Sequence, residues 1–121
     1  MNREELIQNI TEAAFEEKAD EALVMEVADL TIVAEAFVLI TGRNINHNRS
    51  MADAIIEKLT EAGEKLLHND GYEEGRWIVL DFGIVMVHLF RQEEREYYNL
   101  EKLWGDAPQK LLQASEMAQQ A

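Results

Sequence analysis

Three histidines, 24 carboxylates and two serines are the side chains of this 121-residue sequence that could carry catalysis, and it has no cysteine. Neither Ser50 nor Ser115 sits in a G-x-S-x-G elbow, so a serine nucleophile lacks its usual setting. His47, His68 and His88 form no H-E-x-x-H pair on a helix face, and without cysteine there is no zinc–thiolate site or disulfide. His68-Asn69-Asp70 could offer two metal ligands, but a solvated turn is the better reading. Asp81-Phe82-Gly83 is the magnesium-binding tripeptide of protein kinases, here without the Gly-rich loop, strand lysine or H-R-D loop that work with it. It reads as a turn in which Asp81 bonds nearby backbone amides. The six glycines match neither G-x-G-x-x-G nor the P-loop spacing, so no phosphate cradle is expected. Glu73-Glu74 and Glu93-Glu94 read as solvated faces. Catalytic, cofactor-binding and metal-binding residues are therefore all expected to be none.

The aromatics point elsewhere. Trp77, Phe82, Phe90, Tyr97, Tyr98 and Trp104 are six of nine, and they fall within 28 residues. Phe82 and Phe90 suit a core. Trp77, Tyr98 and Trp104 suit either a core or an interface, where such rings act as anchors inside a polar rim. His88, among apolar neighbours, is either a hydrogen-bonded structural residue or a polar anchor at a binding surface.

These residues must be positioned by Trp77–Phe90, WIVLDFGIVMVHLF, in which only Asp81 and His88 could carry charge. A membrane helix needs about 20 residues, so this run is too short to be one. Gly83 divides it into antiparallel strands, Trp77–Asp81 and Ile84–Phe90. In the second strand Ile84, Met86, His88 and Phe90 point one way, and Val85, Val87 and Leu89 the other. Both faces are apolar, the pattern of a strand covered on both sides.

Leu6, Ile7, Ile10, Ala13 and Ala14 form one stripe of a helix from about Asn2 to Lys18. Ala52, Ile55, Ile56, Leu59 and Ala62 form another, starting near Asn46 with Asn44 or Asn46 as cap and ending before Gly63. Residues 22–27 and 36–42 read as strands, with one turn of helix in DLTIVAE between them. Residues 65–75 hold at most a short strand. RQEEREYYNLEKLWGDAP reads as a short helix, a break at Asn99 and a second turn ending at Gly105. Residues 1–108 then make one α/β (α+β) domain, a mixed sheet with helices, and 109–121 a helical C-terminal tail with Leu111, Leu112, Ser115 and Ala118 on one side.

The formal net charge is −13. Residues 1–35 hold ten acids against Arg3 and Lys18, a net of −8. Such a field repels phosphate backbones, so little direct nucleic-acid contact is expected. It suits either plain solubility or attraction to a basic protein partner. The acidic, amphipathic N-terminus has no signal-peptide pattern, and the chain reads as cytoplasmic, without membrane attachment.

Two stretches carry a specific resemblance. EGRWIVLDFGIVMVHLFRQEEREYYNLEKLWGDAP (74–108) resembles the pattern Gly-x-Trp, apolar strand, Asp-aromatic-Gly, then Val-His-aliphatic-Phe and Arg-x-aromatic-Tyr-x-Leu-Glu-x-Leu-Trp-x-Asp of the ribosomal silencing factors, the Iojap or RsfS family. DLTIVAEAFVLITG (29–42), with Ala52-Asp53-Ala54 in the following helix, is similar to a second family segment. The chain differs from the usual family residues at Glu35, Ala36, Asn44 and His47. It differs again at Ile84, where relatives commonly have aspartate.

The resemblance implies a mixed five-stranded sheet flanked by helices, nucleotidyltransferase-like without catalytic motifs. It implies no enzyme activity and no cofactor. Its implied action is docking on the large ribosomal subunit through its protein fourteen, steric blocking of small-subunit joining, and silencing of translation under nutrient limitation. Trp77, Asp81, Met86, His88, Tyr98 and Trp104 are the expected partner-binding residues. A nucleotidyltransferase-like enzyme with degenerate motifs and a homodimeric scaffold are the alternatives, and homodimerisation is compatible with silencing.

Overall fold

A computed structural model describes residues 1–113. The elements in chain order are α1 (Arg3–Glu16), β1 (Glu21–Glu26), β2 (Ala36–Gly42), α2 (Ile45–Glu61), β3 (His68–Asp70), β4 (Trp77–Asp81), β5 (Val85–Arg91), α3 (Gln92–Tyr98), α4 (Leu100–Leu103) and β6 (Gln109–Gln113). The strands form one mixed sheet in the order β3-β4-β5-β2-β1-β6. Only β2 and β5 run parallel, with Leu39 opposite His88; every other pair is antiparallel.

Both long helices begin at asparagine caps, and Asn44 is one of the two expected for the second. Asn2 Oδ1 accepts from the Glu5 amide at 2.8 Å while the Glu5 carboxylate accepts from the Asn2 amide, a reciprocal capping box. Asn44 Oδ1 accepts from the His47 amide at 2.9 Å. The apolar stripes then bury Leu6, Ile10, Ala13 and Ala14 of α1 and Met51, Ala52, Ile55 and Leu59 of α2. They cover one sheet face, built from Val24, Val38, Ile40, Ile78, Leu80, Val85, Val87 and Leu89. The opposite face carries a second cluster of Leu23, Met25, Phe37, Leu39 and Phe90, with Val27, Ala34 and Ala107 against it.

Gly42 shows how tightly α2 is set on the sheet. A Cβ there would stand 2.0 Å from Asn48 Oδ1. Asn48 is fully buried, and its Nδ2 donates to the Gly75 carbonyl at 2.8 Å, tying the helix to the turn before β4.

The hairpin between β4 and β5 forms as expected. Gly83 takes φ +87°, a conformation that glycine adopts without penalty, and its amide donates to Asp81 Oδ1 at 2.8 Å. Two expectations need correction. The sheet has six strands rather than five, and residues 109–113 of the expected helical tail form β6, paired antiparallel with β1. β1 offered an unsatisfied edge, and ladder bonds to it outweigh the helical propensity of Gln, Lys and Leu. The rest of the expected tail helix, with Ser115 and Ala118, lies outside the described residues.

Candidate functional site

The sheet face away from α1 and α2 gathers the rings. Alternation along β4 puts Trp77, Val79 and Asp81 on this side, and along β5 it puts Met86, His88 and Phe90 there. The ladder sets Trp77 opposite Phe90, Val79 opposite His88, and Asp81 opposite Met86. Phe37 enters from β2, in register with Met86.

A second layer comes from the C-terminal segment. Tyr98 packs against Trp77 with ring centroids 4.7 Å apart and planes tilted by 45°, and Tyr97 meets Tyr98 edge-on at 4.9 Å. Trp104 packs edge-on against Phe37 at 5.6 Å. Three arginine-centred contacts hold this segment in place. Arg91 makes two bonds to the Glu94 carboxylate, both 2.7 Å, and these hold the Glu94 carboxyl below its ordinary range. Arg95 donates to Thr41 Oγ1 on β2 at 2.7 Å and to Glu101, so one side chain links α3, α4 and the sheet. Asn99 then breaks the helix in a left-handed conformation, φ 46°, which asparagine tolerates.

His88 is the buried polar centre of the face. Trp77 Nε1 donates to its Nδ1 at 3.1 Å, and Phe37 stands edge-on to its ring at 5.0 Å. Because Nδ1 accepts, the proton of the neutral ring sits on Nε2, which finds no partner among the described residues. Burial lowers its pKa from 6.5 to about 4, since a charged ring cannot be solvated there.

The six expected residues therefore share one side of the sheet, but at different depths. Asp81, Met86, Trp77 and Trp104 are half-buried, while Tyr98 is 52% exposed. His88 is only 7% exposed and acts by supporting Trp77 from beneath. Sequence reasoning missed Phe37, the ring that joins His88 to Trp104, because a lone aromatic in an apolar strand carries no local mark. It named Tyr97 among the clustered aromatics without giving it a role and passed over Leu103, next to Trp104 in the chain; they are 80% and 69% exposed. This arrangement can bury rings against another molecule, with Asp81 and the acids of α3 at its edge.

Among the described residues no three His, Asp or Glu side chains are grouped so as to hold a metal ion, and no helix is long and apolar enough to cross a membrane.

Comparison with known proteins gives this surface a context. The family model described as "Ribosomal silencing factor during starvation" matches residues 1–121. The protein named ribosomal silencing factor RsfS from Halalkalibacterium halodurans is 35% identical over 108 residues, covering 89% of this chain and 92% of that protein. Its namesake from Bacillus subtilis is 34% identical over 108 residues, with the same coverage, 89% and 92%. A crystal structure of a protein from Chromobacterium violaceum superposes with a TM-score of 0.84 at 30% identity, covering 87% of this chain and 88% of that one. With the family match running through both the sheet and the ring layer, the chain belongs to the ribosomal silencing factor family.

Proposed function

We propose that the protein docks through its ring-bearing face on the large ribosomal subunit, at that subunit's protein fourteen, and prevents the small subunit from joining. The single observation that carries this reading is the tilted Trp77–Tyr98 ring pair, 4.7 Å between centroids, in which Trp77 is held by His88 and Tyr98 is open to solvent. Rings held rigid before binding lose little conformational freedom when a partner covers them. A net charge of −13 favours encounter with a basic ribosomal protein over bare RNA. The relatives' shared name, silencing factor, supports an action on the ribosome.

The proposed mechanism is occlusion. A domain seated on the intersubunit side leaves no room for the small subunit, and no bond is made or broken. The reading extends to repression of translation when nutrients are short, in keeping with the starvation named by the family.

The test mixes purified small and large subunits with the protein and follows sedimentation on a sucrose gradient. The joined peak is expected to shrink as protein is added, with the protein comigrating with large subunits alone. An unchanged joined peak at saturating protein would falsify the proposal.

A further inference from the structure

Between β1 and β2 the chain carries an apolar loop that its own core does not use. Ile32 is fully exposed, Val33 is 60% and Leu30 45% exposed, and Ile84 stands at 36% in the turn beside them. Single exposed apolar residues are ordinary. Here, however, Ile32, Val33 and Ile84 line one shallow depression of about 520 Å³ with Thr31 and Glu35.

The loop is braced. The Val27 amide donates to the Glu35 carbonyl at 2.9 Å, closing its base, and the Leu30 and Thr31 amides both return to the Val27 carbonyl. Thr31 Oγ1 accepts from the Val33 amide at 3.1 Å, and the Glu35 amide donates to the Ile84 carbonyl at 2.8 Å. Apolar side chains on a braced loop resemble a preorganised contact more than a segment waiting to collapse.

We infer that this loop, together with Ile84, is a second anchor for the basic protein that covers the rings, an inference that rests on the docking function proposed above. Continuity supports it, because Ile84 stands in the turn immediately before β5, two residues ahead of Met86, and its carbonyl accepts from the Glu35 and Ala36 amides that end the loop. Charge supports it too. Asp29, Glu35, Glu26 and Asp106 surround the loop, and Arg3 is engaged by Glu26 at 3.4 Å and Glu35 at 3.9 Å. A second copy of this chain would bring the same acids against them, whereas a basic surface offering an apolar side chain between cations meets both features. Ile84 extends the apolar strip of Ile32 and Val33 towards β5.

The experiment compares the full chain with the double variant Ile32→Ser and Val33→Ser, which leaves net charge unchanged. Affinity for purified large subunits is measured by cosedimentation, and thermal melting and light scattering are recorded for both. The double variant should melt like the parent and bind at least about tenfold more weakly, the scale of losing an interface anchor. If it binds like the parent while Trp104→Ala does not, the second anchor is overturned and the docking function stands. If the parent itself does not bind large subunits, both fall. Loss of a dimer with unchanged subunit binding would assign the loop to self-association and overturn the inference.

Discussion

Trp77 donates its indole N–H to Nδ1 of His88 at 3.1 Å, from a position diagonal to it across the β4–β5 ladder. The bond exists only while the imidazole is neutral. Burial lowers the folded pKa of His88 to about 4, below the unfolded value of 6.5, so the unfolded chain binds the proton more readily. Stability from this residue is therefore complete above pH 6.5 and falls as pH drops towards 4. Between pH 6.5 and pH 5 the expected loss is about 2 kcal/mol. Urea unfolding across that window measures it. A His88→Gln variant, whose amide oxygen can still accept from Trp77, should flatten the dependence, and a parent curve flat from pH 7 to 5 would contradict the account.

Gly42→Ala tests the joint between sheet and helix. The added methyl would meet Asn48 Oδ1 at 2.0 Å and Met51 Cε at 3.1 Å. Asn48 cannot retreat without giving up its 2.8 Å bond to the Gly75 carbonyl. Overpacking plus a buried amide left unpaired should cost about 2–4 kcal/mol, read as a lower urea midpoint at unchanged slope. The turn before β4 should lose amide-exchange protection along with it.

Local signals account for the elements that were legible in advance. The 3.6-residue spacing of Leu6, Ile10 and Ala13, and of Ala52, Ile55 and Leu59, is written within single helices, as is the Asn44 cap. Gly83 likewise announces the β4–β5 turn. What stayed hidden depends on distant partners. Phe37 reaches His88 and Trp104 only because α2 carries the chain over so that β2 lies parallel to β5. QKLLQ (109–113) has a helical composition and becomes a strand because β1 has an edge to fill. His88 could be read as anchor or structural support, and the choice turns on where Trp77 falls across the ladder. The ring face itself was legible as a set of residue types, while the depth of each ring was not.

The edge role of β6 leads to a third expectation. β1 is buried on both faces over Ala22–Met25, and β6 covers its backbone with pairs from Glu21–Gln113 to Met25–Gln109. A chain ending at Pro108 would leave that apolar strand with an open edge, which invites pairing with another copy. Light scattering should show stronger concentration-dependent association than the full chain gives at equal concentration. Melting should fall by at least about 5 °C, equivalent to roughly 1 kcal/mol for a domain of this size. An unchanged melt and scattering profile would mean that β6 is dispensable to the sheet.

Tyr98 and Trp104 separate binding from stability most sharply. Tyr98 is 52% exposed, so Tyr98→Ala removes little buried surface and should cost under about 1 kcal/mol of folding stability. If a partner buries the ring, the same change should weaken binding to large subunits by about tenfold or more. Trp104, packed on Phe37, serves both purposes, and Trp104→Ala should lower the melt as well as the affinity. Raising salt should weaken the parent and both variants by similar factors, because screening acts on the −13 charge and leaves the rings untouched. Cosedimentation at two salt concentrations, paired with melting curves, measures all four quantities. Normal binding by both variants would move the docking face away from the rings, and a Tyr98→Ala loss seen only together with a collapsed melt would return that ring to the core.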